Sequence, residues 1–199
     1  MRAYHIGVFG DSGSGKTTLL RELHETFAGL SIWINHSQEQ GIAGAVAQGE
    51  TALRNADTHR VNLRMKDGRE AISMAREVAA EYAQDTGYPV QIITDEADDV
   101  LPADADESNP LRRGLQRDRD RRIKHVVSSQ NPQNTRKEAL SNARYFVWVG
   151  SPHTLHDGFL RYYNLSSLDY PREQFKYATI RMKHPPEIVA EGHTSERYA

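Results

Sequence analysis

Cysteine is absent from the 199 residues, so the chain has no disulfide framework and cannot build a thiolate zinc or iron–sulfur site. No apolar run approaches the roughly 20 residues that a membrane-spanning helix needs. Met1 to Phe9 is too short, and too soon interrupted by polar residues, to serve as a secretion signal. Neither sign of charge dominates: 25 Lys and Arg against 27 Asp and Glu leave a formal charge of -2. That balance excludes a globally basic nucleic-acid binder but leaves room for a local basic patch. Internal repeats and low-complexity tracts are missing too. His153 and His156 stand three apart with no third ligand in sight, which argues against a histidine metal site. What remains is the composition of a polar globular protein, 38% hydrophobic and 26% charged, with the length of about one domain.

Short apolar runs rich in β-branched and aromatic residues predict buried strands at Tyr4–Phe9, Ser31–Asn35, Val90–Thr94, Lys124–Ser128 and Tyr145–Val149. Arg60–Met65 alternates apolar and polar residues, as an edge strand does. Helical faces lie between them. Leu19, Leu20, Leu23 and Phe27 form one; Ile72, Ala75, Val78, Ala79 and Tyr82 form another. Asn109-Pro110 reads as an N-cap followed by a first-turn proline. Strands alternating with helices predict an α/β fold with a mostly parallel sheet covered on both faces, binding ligands beyond the carboxyl ends of its strands. Residues 1–183 are expected to form a single domain, and His184 to Ala199 a surface or partly disordered tail. Trp33 and Trp148 sit in strand-like runs and are expected in the core. Tyr162 and Tyr163 suit either core packing or stacking on bases.

The sharpest motif is Gly10-Asp11-Ser12-Gly13-Ser14-Gly15-Lys16-Thr17, which matches G-x-x-x-x-G-K-[ST] between an apolar strand and a helix. Its glycines let the backbone curl so that several N–H groups face one anion, and the helix adds the positive end of its dipole. Lys16 is placed to reach the β- and γ-phosphates of ATP, the Thr17 hydroxyl to ligate Mg2+, and Thr18 to extend the cradle. The strand Val90–Thr94 ends in Asp95-Glu96. Charge at the tip of a buried strand demands a cation, so Asp95 is the second candidate for Mg2+. Glu96 beside it is the candidate general base for an attacking water. Residues 95–98 also spell D-E-A-D, the hallmark of RNA helicases, but those enzymes place their site between two tandem domains and this length holds one.

Ser129-Gln130-Asn131-Pro132 follows the run Lys124–Ser128. Gln130 can touch the γ-phosphate or the attacking water, or simply open a turn; spacing allows both. Arg112 to Lys124 holds seven basic and two acidic residues. Such a stretch can contact phosphates or lend an arginine to a neighbouring subunit, or it can be a solvated helix face.

GDSGSGKT at 10–17, VQIITDEAD at 90–98 and RDRRIKHVVSSQNPQ at 119–133 together resemble the FtsK–HerA superfamily of P-loop ATPases, and RKEALSNARYFVWVG at 136–150 resembles its next helix and strand. The resemblance implies a three-layer RecA-like core. It places Gln130 on the superfamily's sensor glutamine and Arg119 on the arginine that precedes the sensor strand. Two positions depart from the pattern: Asp118 stands where glycine is usual, and His125 where an aliphatic residue is common. With the phosphate loop at residue 10, no amino-terminal barrel or membrane segment is expected ahead of it. A core of this size therefore looks like the genome-packaging ATPases of membrane-containing icosahedral viruses, including archaeal ones. That likeness implies a double-stranded DNA translocase and a homo-oligomer, a hexameric ring with sites between subunits. It also implies a capsid portal or membrane vertex as a further partner, in host cytoplasm or virion. A Zot-like morphogenesis factor and a small-molecule P-loop kinase are the competing readings. The kinase has no need of a hydrolytic Glu96.

Overall fold

The computed structural model describes residues 3–150, 157–168 and 176–194. The readings of His153 and His156 lie outside them. The elements in chain order are β1 (His5–Phe9), α1 (Lys16–Thr26), β2 (Leu30–Ile34), β3 (Ala45–Ala47), α2 (Glu50–Arg54), β4 (Arg60–Leu63), α3 (Gly68–Thr86) and β5 (Val90–Thr94). They continue as α4 (Ala97–Val100), α5 (Pro110–Arg117), β6 (Ile123–Ser129), α6 (Lys137–Leu140), β7 (Ala143–Val149), α7 (Asp157–Tyr162), β8 (Lys176–Arg181) and β9 (Glu187–His193). One nine-stranded sheet runs β3-β4-β2-β5-β6-β1-β7-β8-β9. The seven strands from β3 to β7 are parallel, and β8 and β9 are added antiparallel.

The central strands are apolar on both sides because both faces are covered. Phe9, Ile32, Ile92 and Val127 pack with Ile72, Ala75, Leu111 and Leu115 on the α3/α5 face. Val8, Trp33, Ile93 and Val126 pack with Leu19 and Leu20 of α1 on the other. This is the three-layer, mostly parallel RecA-like α/β arrangement. Trp33, Trp148 and Tyr163 are core residues, whereas Tyr162 is half exposed. Local signals set the helix ends. The Asp67 carboxylate accepts from the Arg69 and Glu70 amides at the start of α3. Asn109 does the same for Leu111 and Arg112 at the start of α5.

Two expectations are corrected. Arg60–Met65 is not an edge strand: β4 lies between β2 and the short β3, with Val61, Asn62 and Leu63 all buried. Its polar alternation reflects an internal hydrogen bond, Asn35 Nδ2 donating to Asn62 Oδ1 at 3.0 Å, rather than solvent. The segment expected as a surface or partly disordered tail does lie at the surface from Glu187 to His193, but as the other edge strand, β9, pairing with β8 from Lys176↔His193 to Arg181↔Glu187.

Candidate active site

Parallel strands end together, and here three of them end on one point. Register places Thr94 beside Val127 and Phe9 beside Ser129, so the loops leaving β5, β6 and β1 open side by side, with β6 in the middle. The loop after β1 must turn at once, because β7 is hard against it. At Gly10 (φ 155) a side chain would lie 2.1 Å from the Val149 carbonyl oxygen, so only glycine fits. Gly15 (φ 102) begins α1 in the left-handed region without a side-chain cap, leaving first-turn amides to face the loop's interior.

Those loops enclose a pocket of about 270 Å3 lined by Ser12, Gly13, Gly15, Lys16, Thr17, Thr18, Asp95, Glu96, Ser128, Ser129 and Gln130. Gly10, Asp11 and Ser14 stand behind it and shape the loop. The Asp11 carbonyl accepts from Lys16 Nζ at 2.7 Å and from the Ser14 amide at 3.2 Å. Ser14 Oγ is buried with no hydrogen-bond partner. Burial lowers the Lys16 pKa, and the surrounding Asp95, Asp11, Asp98 and Glu96 oppose that shift. An ammonium beside the uncapped first turn of α1, facing one cavity, is what a polyphosphate requires.

Asp95 is held from three sides. Thr17 Oγ1 donates to Oδ2 at 3.2 Å, the Glu96 amide to Oδ1 at 3.0 Å, and the Ser128 hydroxyl to Oδ1. A hydroxyl and a carboxylate already in contact beneath the phosphate loop form the oxygen donor set that Mg2+ prefers, so Thr17 and Asp95 fit that ion. Glu96 follows with φ 50, a left-handed conformation unusual for a glutamate and a mark of a constrained site. Burial pushes its carboxyl up, and Asp95 and Asp99 push in the same direction, while His36 opposes them. A carboxylate tuned toward neutrality is a better base than an ordinary one.

Sequence reasoning missed Ser128 and His36. Ser128 is legible only as a small residue before Gln130, yet it orients Asp95. His36 follows β2 and lies 3.7 Å from Asp99, with Glu96 in the same cluster. No motif marks it, since the contact exists only because β2 neighbours β5.

Arg119 is not brought to this pocket. It is exposed in a single 3-10 turn, Asp118–Arg121, before β6, whereas Gln130 follows β6. Seven strand residues separate those ends, about 20 Å of sheet. The two departures from the family pattern meet each other. The fully buried Asp118 carboxylate accepts from Arg76 Nε at 2.6 Å and Nη2 at 2.8 Å, and lies 2.9 Å from His125 Nε2. Burial alone would push this carboxyl up; the hydrogen bonds from Arg76 and His125 hold it well below the usual carboxylate range. Gly114 leaves the space, since a side chain there would come within 2.5 Å of His125 Nε2.

No family model and no curated protein matches the chain. Solved structures do. The genome packaging NTPase B204 of Sulfolobus turreted icosahedral virus 2, solved with AMP, superimposes with a TM-score of 0.75 at 11% identity over 97% of both chains. B204 of Sulfolobus turreted icosahedral virus, a DNA-packaging ATPase, gives 0.72 at 13% identity, covering 97% of this chain and 100% of that one. The N-terminal domain of zonular occludens toxin from Neisseria meningitidis gives 0.52 at 14% identity, covering 96% and 87%. The chain thus shares the RecA-like P-loop ATPase fold of these viral genome-packaging NTPases.

Proposed function

We propose that this chain is an ATPase that drives double-stranded DNA into a viral capsid, acting as a homo-oligomeric ring. The observation that carries the reading is the convergence of Lys16, the Thr17–Asp95 pair, Glu96 and Gln130 on one pocket at the strand ends. Lys16 and the loop amides hold the phosphates of ATP. Bound Mg2+, held by Thr17 and Asp95, supplies charge neutralisation at the phosphate oxygens. Glu96 takes the proton of the attacking water, and Gln130 orients that water or reads the γ-phosphate.

Arg119 lies a full strand length from its own Lys16. In the ring we propose, it serves the nucleotide of an adjacent subunit, which makes the enzyme depend on assembly. The general base favours hydrolysis over a small-molecule kinase. The likeness to a Zot domain supports the morphogenesis reading as the second choice, which predicts slow hydrolysis indifferent to DNA. No helix among the described residues is long and apolar enough to cross a membrane. On the packaging reading, the motor works in host cytoplasm or at the virion's packaging vertex, against a portal or membrane vertex.

The deciding experiment measures ATP hydrolysis with and without duplex DNA, alongside the mass of the assembly. DNA stimulation in a ring-sized species is expected. Glu96→Gln should bind ATP normally and lose about 10²–10⁴-fold in turnover; near wild-type turnover would remove Glu96 from its role.

A further inference from the structure

At the other end of the sheet, away from the nucleotide pocket, Lys124 carries its cation into a cleft walled by two aromatic rings. It is the second residue of β6, level with Gln91 of β5. Its side chain enters a cleft of about 490 Å3 walled by Tyr4, Phe27, Gly87 and Pro89, with Arg122 at the rim. Lys124 Nζ lies 5.5 Å from the centre of the Tyr4 ring and 5.4 Å from that of Phe27, within cation–π range of both. Among the described residues, no carboxylate pairs with it. Burial pushes its pKa down to about 8, and no neighbouring charge contributes to that shift. A methionine would fill the same space without losing hydration. Arg122 adds a second cation, with its guanidinium donating to the Gly87 carbonyl.

The cleft states its own complement. The walls are mostly carbon, two of them aromatic, and the polar end is cationic. The volume is within the usual range for small-molecule sites. Unlike the loop after β1, the cleft lines no phosphate-binding turn and no helix start, so it offers the Lys124 ammonium with Arg122 at the rim rather than a polyphosphate cradle. We propose that the cleft between Tyr4, Phe27 and Pro89 is a second ligand site, which takes a small flat apolar molecule carrying one carboxylate and binds that carboxylate through Lys124. The site is remote from the phosphate loop and stands independently of the ATPase reading.

The test uses the whole protein and two probes, 2-naphthoate and its neutral analogue 2-naphthamide, with binding followed by titration calorimetry. Sub-millimolar binding of naphthoate is expected, weakened at least tenfold by Lys124→Met, with naphthamide weak and indifferent to the substitution. Lysine side-chain NMR gives a second readout. The Lys124 titration midpoint near 8 should rise when naphthoate is bound, because a bound anion favours the ammonium. An unshifted melting curve shows that Lys124→Met is folded, and Lys124→Arg should retain naphthoate binding in part. Naphthoate bound equally by wild type and Lys124→Met, or by neither, would overturn the proposal. So would loss of duplex oligonucleotide binding alone in Lys124→Met, which would make Lys124 a phosphate contact instead.

Discussion

Asp118 offers the most direct test of how this chain braces the segment that carries Arg119. Asp118→Ala removes the carboxylate and leaves two polar groups behind. The Arg76 side chain is only 14% exposed and His125 is fully buried, so water replaces the lost acceptor only in part for Arg76 and not at all for His125. Removing one member of a buried ion pair costs about 3–5 kcal/mol, because an uncompensated charge stays inside. For a domain of this length each kcal/mol moves the melting temperature by about 2–4 °C, so the expected drop is about 6–20 °C. The cost belongs to the stranded partners, not to the pair as such. Arg76→Met, Asp118→Ala and His125→Leu together replace the cluster with carbon and should recover most of the loss. Thermal unfolding by circular dichroism at pH 7 reads both variants. A drop below about 2 °C for Asp118→Ala, or a triple variant no better than the single one, would refute the reasoning.

Arg119→Ala should keep ATP binding and assembly but lose most turnover, since an arginine donated to the transferring phosphate is worth about 10³–10⁵ in rate. Mixed with Lys16→Ala subunits it should regain part of that activity, and full activity of Arg119→Ala by itself would exclude this residue. Asp95→Asn should raise the Mg2+ concentration needed for hydrolysis at least tenfold, measured by metal titration of EDTA-treated protein; an unchanged requirement would move the metal elsewhere. Acid should weaken the fold early. Burial lowers the pKa of His5 from 6.5 to about 3 and that of His24 to about 4, so between pH 6.5 and those values the unfolded chain binds more protons. Stability is complete above pH 6.5 and falls by about 2 kcal/mol per histidine by pH 5. Equal urea midpoints at pH 7 and pH 5 would contradict this.

The sequence by itself determined whatever rests on neighbours along the chain. The phosphate loop is legible because glycine spacing, lysine and threonine must sit on one continuous turn. Val90–Thr94 matches β5 to the residue because a short, fully buried strand is an unbroken apolar run. Asn109 is legible as a cap because it bonds amides two and three residues on. Tertiary structure alone decided the rest. Arg60–Met65 reads as an edge because apolar and polar residues alternate, but the polar Asn62 has its partner in Asn35, 27 residues away. The strand β9 offers only Ile188-Val189-Ala190 as an apolar run, because an edge strand is half solvated and its pairing is made by backbone. Asp118 and His125 look like two unrelated departures until the turn before β6 brings them within 2.9 Å of each other and α3 supplies Arg76. Contacts of that kind are set by which strands lie side by side, and strand order is a property of the packed sheet that no local run of residues encodes.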